Sequence, residues 1–136
     1  MARTARPFVF SNLATSVDGK IASRDRGHFY LGTPADRRRM QVLRRRADAI
    51  LMGASTLRSF RGPLRARGAR VQPLNVVLSA SLSGISPDWP FFSSEDTRKI
   101  VFTTARSPVA RRRAIARVAE VVILDPNRPT APQVVR

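Results

Sequence analysis

Four short runs in this chain are apolar at consecutive positions: "DAILMG" (48–53), "LNVVLS" (74–79), "KIVFTTA" (99–105) and "EVVILD" (120–125). A strand with one wet face alternates apolar and polar residues. A strand that is apolar throughout buries both faces, as strands do in a parallel sheet covered by helices. The segments between these runs read as helices or long loops. Thr33 is placed to cap a helix, Pro34 suits its first position, and Asp36 sits in the first turn where an acid favours the helix dipole. Met40, Leu43 and Ala47 then form one apolar stripe under a coat of arginine. A second helix, "ASTLRSF", follows Gly53 and breaks at Gly62-Pro63, and a third follows Ser107-Pro108. Strands alternating with helices predict an α/β domain with a mostly parallel sheet flanked by helices. A further strand is expected at the start, "PFVFSNL" (7–13), rich in aromatic and β-branched residues. Asp18-Gly19 turns the chain after it.

The 136 residues suit one domain, taken as 1–136. There is no cysteine, which removes disulfides, thiol nucleophiles and zinc–cysteine sites and agrees with a cytoplasmic location. No apolar run approaches the roughly 20 residues of a membrane span, and "MARTARPFVF" lacks the long apolar core of a secretion signal. The formal net charge of +16 comes from 25 Lys and Arg against 9 Asp and Glu. Such a balance invites a nucleic-acid reading. Against it, only Lys20 and Lys99 are lysines, and the arginines run along apparent helix surfaces, "DRRRMQVLRRRAD" and "ARRRAIARVAE". No basic platform interleaved with aromatics is visible. A basic cleft for a phosphorylated small molecule is the sharper functional reading of the charge.

Open α/β sheets bind ligands at the carboxyl ends of their strands. Three strand ends here carry small or hydroxyl residues: Gly53-Ala54-Ser55-Thr56, Ser79-Ala80-Ser81 and Thr103-Thr104-Ala105. Glycine lets a ligand approach the backbone, and hydroxyls and free amides suit phosphate. The G-x-G-x-x-G and G-x-x-x-x-G-K-[ST] motifs are absent. His28, the only histidine, has no G-x-S-x-G partner motif, and no cluster has metal-ligand spacing.

Two motifs carry a family resemblance. Ser16, Asp18, Gly19 and Lys20 form a Ser-x-Asp-Gly-Lys turn. Arg44, Asp48, Ala49, Ile50, Gly53 and Thr56 form Arg-x-x-x-Asp-Ala-Ile-x-x-Gly-x-x-Thr. Together they resemble the pyrimidine reductase family of riboflavin biosynthesis, which has the dihydrofolate reductase-like fold. "TPAD" and "GASTLRSFRGPL" followed by "NVVLSAS" are also similar to dihydrofolate reductase itself. The resemblance implies an NADPH-dependent reductase acting on a ribosylaminopyrimidine phosphate, and a homodimer. It implies cofactor contacts at Ala14, Gly53, Ser55, Thr56, Ser79, Ala80 and Thr103. Asn12, Ser16, Asp18 and Lys20 would face the substrate, and Lys20 and Asp36 would be catalytic. A cation for the adenosine 2′-phosphate would come from the basic loop at Arg65, Arg67 and Arg70. Two departures accompany the match. "RSFRGPLR" stands where the family has Asp-Asp-Pro, which leaves a pterin as the alternative substrate. The family domain also continues, beyond the equivalent of residue 136, into a strand ending in Gly-Gly. The expectation is therefore a partial domain with its sheet incomplete at the C-terminus, for which a non-catalytic nucleotide-binding fragment is the other reading.

Overall fold

The Thr33 hydroxyl accepts the Asp36 amide at 3.2 Å, with Pro34 at the first helical position, and helix α1 runs over Pro34–Arg46. This is the start that the sequence predicts. The computed structural model describes residues 7–21, 32–126 and 130–134. After α1 come β1 (Ala49–Gly53), α2 (Ala54–Phe60), β2 (Leu74–Leu78), α3 (Pro90–Ser93), β3 (Lys99–Thr104), α4 (Val109–Ala116), β4 (Glu120–Leu124) and α5 (Thr130–Val134). The strands form one sheet in the order β1-β2-β3-β4, and every pair is parallel. The α/β reading from consecutive apolar runs is therefore right, and the strand bounds agree to within a residue or so.

The register explains why those runs have no polar alternation. Met52, Val77 and Val101 point to one face of the sheet, where Leu57 of α2, Phe91 and Phe92 of α3 and Ile115 of α4 complete a core with Leu82. Phe91 and Phe92 meet edge to face, their centroids 4.9 Å apart. Val76, Phe102 and Leu124 bury the other face, against Val134 of α5. Burial on both faces selects apolar residues along the central strands β2 and β3, while Leu51 of β1 and Ile123 of β4 stay about half exposed at the sheet's flanks. Helix α1 has no fully buried residue. Met40, Leu43 and Ala47 are only half-buried, so the predicted stripe is real but shallowly packed.

The segment 7–13 is not a strand. Phe8, Val9 and Leu13 are exposed, and Val17 and Ile21 after them are too. Among the described residues no strand pairs with the outer side of β1, where Leu51 is 53% exposed. Aromatic and β-branched composition favours a strand only where a neighbour supplies the ladder, and residues 7–13 have none. Helices α3 and α5 were not expected from the sequence. Pro90 opens α3, in a stretch that reads as irregular because of its prolines.

One buried polar residue interrupts β2. Asn75 is fully buried, and its side chain closes the loop that precedes the strand. Its Oδ1 accepts the Leu64 amide at 2.7 Å, and its Nδ2 donates to the carbonyls of Leu64 and Pro73 at 3.2 and 3.0 Å. Replacing Asn75 by Ala leaves the half-buried amide and carbonyl of Leu64 without these partners. Asn75→Ala is expected to cost about 2–4 kcal/mol, read as a lower urea midpoint at unchanged slope. A midpoint equal to the parent's would show that the loop does not depend on this side chain.

Candidate active site

Parallel pairing puts every strand end on one edge. In register, Gly53 of β1 lies beside Leu78 of β2, Leu78 beside Phe102 of β3, and Phe102 beside Val122 of β4. The three candidate segments after β1, β2 and β3 therefore leave the sheet side by side. The ladder extends one step further, since the Ser79 amide donates to the Phe102 carbonyl at 2.9 Å.

The side chains at this edge divide into two kinds. Gly53, Ser55 and Thr56 are exposed, and a Cβ added at Gly53 would meet nothing within 4 Å. Among the described residues nothing fills the space beside Gly53, which leaves room for a ligand at the end of β1. Ser79 and Thr103 are buried and serve the framework. The Ser79 hydroxyl accepts the Leu82 amide at 3.1 Å. Thr103 and Thr104 both donate their hydroxyls to the Ala80 carbonyl, at 3.3 and 2.9 Å. Ala80 itself is exposed. The edge is therefore an open floor at 53–56 beside a loop, 79–84, that is tied down from within.

Two arginines outside the sequence-derived set also meet that loop. Arg58 of α2 donates Nη1 to the Ser83 carbonyl at 3.1 Å and Nη2 to the Ser55 hydroxyl at 3.0 Å. Arg111 of α4 donates to the Leu82 carbonyl at 3.4 Å. The available signal for Arg58 was its spacing, three residues after Ser55 on one helix face.

The basic loop is on the opposite edge, which corrects the expectation for Arg65, Arg67 and Arg70. Residues 61–73 lead into the amino end of β2, and Arg65 forms a forked ion pair with Asp96, just before β3, at 2.8 and 2.9 Å. Arg44 and Arg45 of α1 donate to the carbonyls of Arg65 and Arg67, and Gln41 accepts the Arg67 amide. In a parallel sheet a loop that enters a strand cannot lie at the carboxyl edge.

The Ser-x-Asp-Gly-Lys turn closes on itself. The Gly19 amide donates to the Ser16 carbonyl at 2.9 Å, and Gly19 has φ +77°, which favours glycine. The Ser16 hydroxyl donates to Asp18 and accepts the Lys20 amide at 3.0 Å, while Lys20 is ion-paired with Asp18. Asp18 and Lys20 are exposed, and these hydrogen bonds stay within residues 16–20. Asn12 is half-buried, and its Nδ2 is a buried donor without a partner among the described residues. Ala14 is half-buried, as is Asp36. His28 and its loop lie outside the described residues. Among the described residues there is no group of three potential metal ligands, and no helix is long and apolar enough to cross a membrane.

Comparison with known proteins adds a family to this geometry. The model of the RibD C-terminal domain family matches residues 7–135. A 2,5-diamino-6-ribosylamino-4(3H)-pyrimidinone 5′-phosphate reductase from Archaeoglobus fulgidus is 28% identical, over 90% of this chain and 60% of its own length. A riboflavin biosynthesis protein, RibD, from Bacillus amyloliquefaciens is 29% identical over 97% of this chain and 36% of its length. A crystal structure from Thermotoga maritima, a diaminohydroxyphosphoribosylaminopyrimidine deaminase and 5-amino-6-(5-phosphoribosylamino)uracil reductase, superposes with a TM-score of 0.61 at 27% identity. It covers 87% of this chain and 38% of that one. The chain thus spans about 60% or less of these relatives.

The Asp18 carboxyl is held below its ordinary value of 3.8, first by the hydrogen bond from Lys20 and then by that from Ser16. A carboxyl with a depressed pKa stabilises its surroundings at neutral pH, and the effect is lost as pH falls through the lowered value. An NMR titration of Asp18 is expected to show a midpoint below 3.8, moving back toward it in Lys20→Met. An unchanged midpoint in that variant would mean that the ion pair does not form in solution.

Proposed function

Since this chain belongs to the RibD C-terminal domain family, we propose that it is an NADPH-dependent reductase of riboflavin biosynthesis. Its substrate in this reading is a 5-amino-6-(5-phosphoribosylamino)uracil-type compound, whose ribosylamino group becomes ribitylamino. The observation that carries the reading is the open carboxyl edge at Gly53, flanked by exposed hydroxyls and by arginine. Relatives named for this reductase support the substrate class.

The residues present fit a phosphorylated dinucleotide. Among the described residues nothing obstructs the backbone at Gly53. The Ser55 hydroxyl accepts from Arg58 and keeps its own hydrogen for a ligand oxygen, and Thr56 offers a second hydroxyl. Ala80, exposed on its anchored loop, gives a small surface against which an adenosine can lie. Ala14 is assigned to the nicotinamide side. Bound there, the cofactor would supply the hydride that reduces C1′ of the open-chain imine, chemistry that belongs to the cofactor.

The protein binds, orients and moves protons. Asn12 offers a desolvated amide donor that a substrate carbonyl or hydroxyl can satisfy, removing the cost of leaving it unpaired. Lys20, with Asp18 and Ser16 holding it, brings a positive charge toward the substrate phosphate. Asp36 is assigned as the proton donor at the nitrogen that the reduction leaves as an amine.

Asp36→Asn separates this role from helix capping, because the bond to Thr33 uses the Asp36 backbone amide and survives the substitution. The variant is expected to lose on the order of 10²-fold in kcat with little change in KM, followed as NADPH oxidation with the ribosylaminopyrimidine phosphate. An unchanged kcat would remove Asp36 from the mechanism and leave it a first-turn acid.

A further inference from the structure

We propose that the 64–72 loop and the carboxyl end of α1 form a docking surface for the phosphate backbone of duplex nucleic acid. The surface lies at the amino edge of the sheet, opposite the candidate active site, and does not rest on the reductase reading.

The loop is closed by its own side chains. The Gln72 Oε1 accepts the Ala66 amide at 2.9 Å, and its Nε2 donates to the carbonyls of Ala66 and Ala69 at 3.2 and 3.3 Å. Asn75 holds the amide and carbonyl of Leu64 in the same way. Ala66 is fully buried, and Gly68 turns the chain at φ +73°. From α1, Gln41 accepts the Arg67 amide at 2.8 Å and Arg45 donates to the Arg67 carbonyl at 3.3 Å. The backbone is thus served by Gln72, Asn75 and α1, while the side chains of Arg67 and Arg70 stay exposed. A surface ordered before its partner arrives loses less freedom on docking.

The charge on this surface is not cancelled locally. Arg65 is forked onto Asp96. Among the described residues, Arg45, Arg46, Arg67 and Arg70 are exposed and make no ion pair. Asp48 and Glu95 are the other exposed acids near them, so an excess of positive charge remains. Arginine keeps its charge at any working pH and forks onto phosphate oxygens. Neither α1 nor residues 61–73 contains an aromatic residue. Unstacked bases would find no platform here, which disfavours a single strand and leaves contacts to a duplex backbone, independent of its sequence. An acidic protein would need apolar anchors at the centre of its contact. Val71 is the one large apolar side chain that this loop exposes.

The test titrates the full chain into a short fluorescent DNA duplex and a second duplex of shuffled sequence. Both are expected to bind equally, with affinity falling as salt rises. Arg67→Gln with Arg70→Gln removes two charges and keeps every backbone bond of the loop. It is expected to weaken binding about tenfold at low salt and to reduce the log–log salt slope by about 2. Arg106→Gln with Arg113→Gln removes the same charge elsewhere and is expected to leave the affinity near the parent's. Equal urea midpoints report that both variants are folded. In the parent itself, the duplex is expected to shield Arg67 and Arg70 from phenylglyoxal, read by peptide mass, which needs no variant. Equal weakening in the two variants, or no shielding of the loop, would mean diffuse attraction by net charge and overturns the proposal. No duplex binding by the folded parent also overturns it, and so does binding of a polyglutamate peptide at this loop in preference to the duplex.

Discussion

Parallel pairing governs everything else in this molecule. A parallel neighbour can be reached only by a crossover, so each strand must leave at the same edge and return at the other. The register from Gly53 through Leu78 and Phe102 to Val122 therefore gathers three loops that are far apart in sequence. It also sends the basic 61–73 loop and its Arg65–Asp96 pair to the amino edge. Helix α1 reaches that same loop through Gln41, Arg44 and Arg45. Two chemically different edges follow: a basic, arginine-braced amino edge and a hydroxyl-rich carboxyl edge.

At the carboxyl edge, framework and candidate binding groups are interleaved along the sequence but separated in space. Ser79 and Thr103 are buried and satisfy the backbone around Ala80 and Leu82. That frees the neighbouring Ser55, Thr56 and Ser81 to stay exposed. Buried backbone carbonyls and amides must be paired, and these two hydroxyls do so where the loop leaves the sheet. The consequence is a turn tied from within and met by Arg58 of α2 and Arg111 of α4, beside a glycine that no described residue obstructs.

Much of this was legible in the sequence, for identifiable reasons. Consecutive apolar residues mark the strands of a parallel sheet, even where β1 and β4 bury only part of them, so β1 to β4 could be read almost to their ends. The Thr33-Pro34 start of α1 follows from capping chemistry alone. Residues 7–13 misled because their composition favours a strand but the sheet offers them no partner. Helix α3 was hidden because its prolines read as breakers, although Pro90 is harmless at a first helical position. In the site, Gly53, Ser55, Thr56 and Ala80 fall where a ligand can reach them. Ser79 and Thr103 have the right residue type at the right edge, but spacing does not reveal which way a hydroxyl points. The assignment of Arg65, Arg67 and Arg70 to the cofactor followed charge density rather than topology, and the direction of β2 overrules it. Arg58 and Arg111 escaped notice within a general excess of arginine.

The measurement that bears most directly on this account is amide hydrogen exchange of the full chain with and without saturating NADPH. A nucleotide at the carboxyl edge predicts added protection at residues 53–56, 79–84 and 104–107, with none at 64–70 or 96–99. Protection confined to the arginine-braced amino edge, or none at all in a folded chain, would contradict it.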